Sequence, residues 1–410
     1  MDTKPKTAYI VATCDTKLAE ASYVRDCIAA TGIPTKLVDV GIKSTATEVD
    51  VDVSQVAAHH PKGPGHVFGD DRGKAIIGMA EALKAFMSKQ TDVAGMVGLG
   101  GSGGTGIITP AMQTLAIGIP KVMASTLASG DVSAYVGATD IMMLYTVTDV
   151  AGLNRISRKV LANAAHALAG MIANQITLPE SDKASIGLSM FGVTTPCVEQ
   201  LVAAYQEHYE CLVFHATGTG GRSMERLADS NEFVGLLDVT TTEIADLIVG
   251  GVFSAGDDRM AAAARANIPY VGSVGACDMV NFLALDSVPE KFKDRNLYQH
   301  NAQVTLMRTT VDENIQIGKF IAEKLNAHTG QVRFLLPEKG VSAIDQQGQV
   351  FYDPLADKAL FETIEQHTQQ TNDRRVERVN AHINDAEFVQ SLKQAFDDVI
   401  ALTSKKDESA

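Results

Sequence analysis

Tryptophan is absent from the 410 residues and aromatics make up only 6%, which disfavours a base-stacking platform for single-stranded nucleic acid. Positive charge is also scarce: 35 lysines and arginines face 49 acids, a formal charge of −14 spread along the chain. Nucleic-acid binders gather a basic patch or stripe, so no such partner is expected, although a local basic pocket is compatible with this balance. Cysteine is sparse. Cys14, Cys27, Cys197, Cys211 and Cys277 are odd in number and form no CxxC, so neither a zinc ribbon nor a disulfide framework is expected and a reducing cytoplasm is the natural setting. No charge-free run of about 18 apolar residues occurs, and Met-Asp-Thr-Lys-Pro-Lys leads into a strand rather than a signal-peptide core. The expectation is a cytoplasmic protein with no membrane partner.

What is present is a chain 45% hydrophobic and 20% charged, enough for two cores. Strand-like runs alternate with helical patterns. Strands are expected at 7–12, 35–40, 92–97 and 120–124, with helices at 17–31, 74–88 and 150–174. A Pro-containing polar stretch, 176–185, reads as a linker. The alternation then restarts, with strands at 185–192, 211–216, 234–239, 247–252, 269–274, 303–308 and 332–336 and helices at 196–208 and 311–325. Thr310-x-x-Glu313 and Asn384-x-x-Glu387 resemble capping boxes. The pattern implies an α/β protein of two Rossmann-like, doubly wound domains with mainly parallel sheets, residues 1–180 and 181–410, and a shared cleft between them.

In such sheets ligands collect beyond the carboxyl ends of the strands, and the polar clusters of this sequence fall there. Gly98–Gly106, GLGGSGGTG, follows the third strand. So many glycines cost conformational entropy without packing reward, whereas bare backbone N–H groups at a helix start suit an anion. GxGxxG fits in two registers, but the acid that completes a dinucleotide fingerprint is missing, and no Gly-Lys-Ser/Thr makes it a P-loop. After the first strand come Thr13, Asp15, Thr16 and Lys17. Capping explains one of these polar residues; a lysine in the first turn opposes the helix dipole unless an anion is near. Asp39 ends the second strand, where a ribose-binding carboxylate would sit, or a surface acid. In the second half Thr217, Gly218, Thr219, Gly220 and Gly221, with Arg222 and Ser223, repeat the strand-turn-helix logic and read as a second phosphate cradle or a closing loop.

Several other groups are weighed here. His215 is an acid–base candidate against a plain core histidine. Asp257, Asp258 and Asp278 could hold Mg²⁺ beside phosphates or merely cap and solvate loops. His59, His60 and His66, with Asp70 and Asp71, lack helical zinc-site spacing and read as a surface loop. Cys14 lies beside a helix N-terminus, which favours a thiolate, yet a buried small hydrophobe is the simpler role.

Taken together, TCDTK (13–17), VDVG (38–41), GDDRGKA (69–75), GLGGSGGTG, FHATGTGGRSME (214–225), MRTT (307–310), GVSAID (340–345), FYDPLAD (351–357) and HINDAEF (382–388) resemble the family typified by the N-terminal domain of the tomato mosaic virus resistance protein. The resemblance runs through the whole chain in order. It implies a two-domain α/β protein that binds ATP, optionally with Mg²⁺, and forms a homodimer. In plants the domain binds and inhibits a viral replication protein; bacterial and fungal relatives are uncharacterised in their native role. Plant members carry a further C-terminal barrel without counterpart in this sequence, so the antiviral activity is not expected here. By position, the resemblance puts ATP contacts at Thr13, Asp15, Thr16 and Lys17, at Gly100, Gly101, Ser102, Gly103, Gly104 and Thr105, and at Thr217–Gly221. Cys14 departs from the pattern, which usually has a glycine- or alanine-sized residue. The resemblance implies no catalytic residue. The expected function is nucleotide binding, with ATP-dependent transfer or ligation on a small metabolite as one use of it. A non-catalytic ATP-regulated protein-binding module and an NAD or nucleotide-sugar enzyme are the alternatives.

Overall fold

The computed structural model describes residues 6–69, 71–176 and 183–407, the last four of these without side chains. The chain separates into two compact units, Met1–Pro179 and Glu180–Ala410. Most of the 176–185 stretch, and Asp70, lie outside the described residues.

The first unit is built on β1 (Thr7–Ala12), β2 (Thr35–Asp39), β3 (Val93–Gly100), β4 (Lys121–Ser125) and β5 (Met142–Tyr145). They form one parallel sheet in the order β2-β1-β3-β4-β5. Every residue of β1 is buried, as a strand covered on both faces requires. Alternation along it assigns the faces. Ala8, Ile10 and Ala12 pack with Ala21, Val24 and Ile28 of helix Cys14–Ala29 and Leu161 and Leu168 of helix Arg155–Ala173. Tyr9 and Val11 pack with Met79 and Leu83 of helix Arg72–Met87 and Ile107 and Met112 of helix Ser102–Met112.

The second unit repeats this winding. β6 (Ser185–Met190), β7 (Glu210–His215), β8 (Gly235–Thr240), β9 (Tyr270–Gly275), β13 (Val332–Pro337) and β14 (Arg374–Val379) form a parallel sheet ordered β14-β13-β9-β8-β6-β7. Between β9 and β13 the chain makes a separate antiparallel sheet from β10 (Met279–Phe282), β11 (Leu297–Asn301) and β12 (Val304–Arg308), ordered β10-β12-β11. In each parallel sheet the second strand lies on one side of the first and the third on the other. The winding therefore reverses between β1 and β3, and again between β6 and β8, where doubly wound sheets open a crevice.

Both units are thus Rossmann-like α/β structures with mainly parallel sheets. Four local expectations change. Residues 247–252 are not a strand: helix Thr242–Val249 runs into Gly250, whose φ of +99° ends it, and a short apolar run cannot distinguish the two states. Residues 303–308 are a strand, but in the antiparallel sheet. The first helix starts at Cys14, so the TCDTK stretch is its opening turn rather than a free loop. Asn384 does not cap the last helix; its side chain accepts from Cys197 N at 3.3 Å and donates to Val193 O at 3.0 Å. Among the described residues no helix is long and apolar enough to cross a membrane.

Candidate functional site

A cleft of about 410 Å³ opens at the carboxyl ends of β1 and β3, the point where the winding reverses. Thr13, Asp15, Thr16 and Lys17 form one wall, and Gly101, Ser102, Gly103 and Gly104 face them from the start of helix Ser102–Met112. Lys43 and Arg72 complete the polar lining, while Ile42, Ile76 and Ile107 supply an apolar floor. Two helices therefore aim their N-termini at one space. Gly101, the N-cap residue of the Ser102–Met112 helix, makes no side-chain capping bond, so the positive end of that dipole is left to the cleft, whereas that of the first helix is met in part by a neighbouring carboxylate. With Lys17, Lys43 and Arg72 against Asp15 alone, the lining carries an excess of positive charge in a chain of formal charge −14. The fold concentrates what the composition lacks.

The opening turn is distorted at Lys17, whose φ of −133° and ψ of 23° break the helical geometry. Its Nζ donates to Val150 O at 2.5 Å, so this ammonium also ties the helix to a neighbouring loop. Lys43 and Arg72 are missing from the sequence-derived set. Arg72 lies within the GDDRGKA stretch and Lys43 four residues past β2; a basic residue just beyond a strand end was the signal available for the latter.

Two positions expected at the ligand serve the scaffold instead. Asp39 is buried, and its Oδ1 accepts from Cys14 N at 3.0 Å and from Gly41 N at 2.8 Å. It caps the first helix from the adjacent strand, which is why Thr13 need not, and it does not line the cleft as a ribose ligand would. Thr105 is also buried, its hydroxyl bonded to Gly101 O at 2.8 Å and to Ser125 Oγ at 2.7 Å. It pins the Gly-rich turn from behind. Gly100 ends β3 and lies outside the lining. Burial, then the Asp39 carboxylate, push the Cys14 thiol upward, so it stays protonated and is no nucleophile.

The second Gly-rich turn has a different occupant. Gly218 N and Gly221 N, the amides that would cradle a phosphate, donate to Glu243 Oε1 at 2.6 and 3.0 Å. Glu243 is wholly buried and its other oxygen takes Arg259 Nε at 2.7 Å. Arg259 is itself held by Asp238, at 2.6 Å through both terminal nitrogens, and by Glu225 at 3.2 Å. A Cβ at Gly221 would lie 2.1 Å from Glu243 Oε2, so the glycine makes room for a carboxylate of the protein itself. Of the Thr217–Gly221 turn, expected to cradle a second phosphate or close over a ligand, the structure places the Gly218 and Gly221 amides on Glu243 and leaves Thr217 half-buried, with Thr219 and Arg222 exposed at the rim. The carboxyl end of β6 borders a pocket of about 220 Å³ lined in part by Phe191, Gly192, Val193, His215 and Thr217. Thr194 and Thr240 share a hydroxyl bond at 2.7 Å, and Ala343 N and Asn384 Nδ2 both donate to Val193 O at 3.0 Å.

Among the described residues no group of three or more His, Cys, Asp or Glu is arranged to hold a metal. Asp258 is paired with Arg265 at 2.5 Å, Asp257 is exposed, and Asp278 is buried. His60 is buried, stacked on His66 at 5.1 Å and bonded to Glu81 at 3.0 Å. His215 stacks obliquely on Phe191 at 5.2 Å beside a small apolar pocket of the second unit.

A profile of the Uncharacterised protein family (UPF0261) N-terminal domain matches residues 6–177, and that of its C-terminal domain matches 183–400. A UPF0261 protein of Rhizobium meliloti (strain 1021) is 52% identical over 395 residues, 96% of this chain and 99% of that protein. The ToMV resistance protein Tm-1(GCR237) of Solanum lycopersicum is 41% identical over 417 residues, covering 95% of this chain but 55% of the tomato protein. Among solved structures, the UDP-GlcNAc 2-epimerase of Methanocaldococcus jannaschii in complex with UDP-GlcNAc and UDP matches 65% of this chain and 83% of its own, at 8% identity and a TM-score of 0.22. That superposition is too loose to carry an argument.

Proposed function

The chain belongs to the UPF0261 family, and from that premise we propose that its first unit is a nucleotide-binding module that takes ATP. The phosphates would lie in the β1/β3 cleft between the Thr13–Lys17 turn and Gly101–Gly104, with Lys43 and Arg72 reaching the outer phosphates. One observation carries this reading. The uncapped N-terminus of helix Ser102–Met112, the opening turn of helix Cys14–Ala29 and three cationic residues converge on a single cleft at the winding reversal, an arrangement that favours a polyanion. Ile42, Ile76 and Ile107 give the base and sugar an apolar surface, which inorganic phosphate would not need. Asp15, the one carboxylate among the described residues of the lining, is suited to a Mg²⁺ ion carried in by the nucleotide. A nicotinamide dinucleotide is less well served, since Asp39, the acid at the ribose position, is turned to helix capping.

Binding is the function assigned, and turnover is a separate question. Titration calorimetry with ATP, NAD and a nucleotide-sugar, each with and without Mg²⁺, tests the reading. ATP binding that Arg72→Ala and Lys43→Ala weaken supports it. Binding of NAD or the nucleotide-sugar in place of ATP would remove it. Release of phosphate from bound ATP would then separate an enzyme from an ATP-regulated module.

A further inference from the structure

Four of the sequence stretches that carry the family resemblance, 307–310, 340–345, 351–357 and 382–388, contribute nothing to the ATP cleft. The fold brings residues of the last three to a cavity of about 590 Å³ at the carboxyl ends of β13 and β14, within the range of small-molecule sites, and the first reaches its wall through Arg308. Its lining includes Lys339, Gln346, Gln347, Tyr352, Asp357 and Lys358.

Asp357 is only 7% exposed, yet it borders this space. Its Oδ1 is held by Arg308 Nη2 at 2.7 Å. Behind it Asp345 lies 3.5 Å from the same guanidinium and accepts Val341 N at 3.0 Å. Asp278 accepts the Ser342 hydroxyl at 2.8 Å, and its other oxygen is buried without a partner. One guanidinium therefore faces three buried carboxylates, which cannot all remain charged in a site shielded from water. Burial and the Asp345 charge push Asp357 up to about 8, and the same two causes raise Asp278 to about 7. Fastening Arg308 needs one carboxylate. The surplus costs stability and adds no packing, a pattern that belongs to functional sites rather than to scaffolds.

A proton kept between Asp357 and Asp345, which share a side-chain hydrogen bond, spares that wall of the cavity a further negative charge. Lys339 makes no ion pair among the described residues, and Lys358 has only Glu362, at 3.6 Å. Arg378 is already committed to Glu365 at 2.7 Å and Glu338 at 3.6 Å. We propose that the second unit holds a small hydroxy- or oxo-carboxylic acid in this cavity, its carboxylate on Lys339 and Lys358 and its adjacent oxygen facing Asp357. A phosphoryl ligand fits less well, because Glu338 and Asp385 also line the space and would repel a second negative charge.

Asp357 faces Arg308 from β12, Asp278 from the turn after β9, and Asp345 from the loop after β13. Lys358 adjoins it on its own helix, and Glu338, Lys339, Arg378, His382 and Asp385 share the cavity. Both ring nitrogens of His382 are engaged, Nε2 with Ser342 O at 2.9 Å and Nδ1 with Asn384 N at 3.2 Å, which fixes the orientation of the ring. Proton loss from Asp357 adds a repelling charge beside the ligand, so affinity falls as pH rises.

Calorimetric titration of the full chain with malate and with pyruvate, against inorganic phosphate, between pH 6.5 and 9.5 is the test. The expected result is binding of at least one acid that weakens through pH 8. Lys339→Ala should weaken it roughly tenfold or more, the loss of one charged hydrogen bond. Asp357→Asn, whose amide still donates but does not titrate, should bind equally well at pH 7 and pH 9. The proposal is overturned by no heat from either acid, by phosphate binding more tightly, by undiminished affinity in Lys339→Ala, or by a pH dependence that survives in Asp357→Asn.

Discussion

Lys17 and Arg72 both line the β1/β3 cleft, but they differ in what else they touch. Lys17 anchors Val150 O at 2.5 Å, whereas Arg72 is exposed and enters no ion pair among the described residues. Arg72→Ala is therefore expected to weaken ATP roughly tenfold, by one charged contact, without moving the melting temperature. Lys17→Ala should lose comparable affinity and also about 1 kcal/mol of stability through the missing carbonyl bond. Calorimetry and a thermal scan on the same two proteins check this. Unchanged ATP affinity in Arg72→Ala would mean that the phosphates take another path. At this scale the sequence was legible in residue type and strand-end position, which brought Thr13, Asp15, Thr16, Lys17 and Gly101–Gly104 to one lining. It was silent on side-chain direction. Asp39 and Thr105 have the right type at the right place, yet they point into the scaffold, one onto Cys14 N and the other onto Gly101 O.

The two Gly-rich turns look alike as strings and differ as elements. In the first unit the turn opens a helix whose N-terminus is uncapped; in the second, Glu243 from a neighbouring helix fills the equivalent space. That filling carries two expectations. Gly221→Ala forces a methyl to within 2.1 Å of Glu243 Oε2, and the resulting shift of a buried ion network should cost about 3 kcal/mol. Glu243→Ala removes the partner of two amides and of Arg259 Nε, and should destabilise by about 3–5 kcal/mol. Added phosphate should then raise the melting temperature of the Glu243→Ala protein more than that of wild type, because an anion can take the vacated place. Equal shifts in both proteins would argue that the space is not an anion site at all. The filling could not be read in advance, since Glu243 lies 22 residues beyond Gly221 and only the β6–β8 pairing brings it back. Periodicity recovered most of the strands for the opposite reason: buried parallel strands are local apolar runs. It failed where burial did not impose that pattern, at the polar edge strand β14, RRVERV, and where a helix carries β-branched residues, at 242–249.

Across the whole molecule, buried ionisable groups set opposing limits on stability with pH. Asp246 and Asp278 are pushed up to about 7 and Asp357 to about 8, burial being the largest cause in each. Unfolded, these carboxyls titrate near the ordinary value of 3.8 given for the aspartates. Between that value and the raised one the folded state binds more protons than the unfolded state, so unfolding free energy falls as pH rises. Their contribution is complete below about pH 4 and is lost through pH 7 to 8. His328 acts in the other direction. Burial lowers it from 6.5 to about 4, so between these values the unfolded state binds the extra proton and stability falls as pH drops. The formal charge of −14 adds self-repulsion on the alkaline side. Between pH 4 and 6.5 the three carboxyls outweigh the one imidazole, so the expected outcome is a urea midpoint that declines from pH 6 to pH 9. Asp357→Asn should flatten that decline, since it removes the group that releases its proton last. A midpoint that climbs from pH 6 to pH 9 in wild type, or a decline as steep in Asp357→Asn, would show that the Arg308 cluster holds its carboxylates fully ionised. In that case its three acids would be balanced by something other than retained protons.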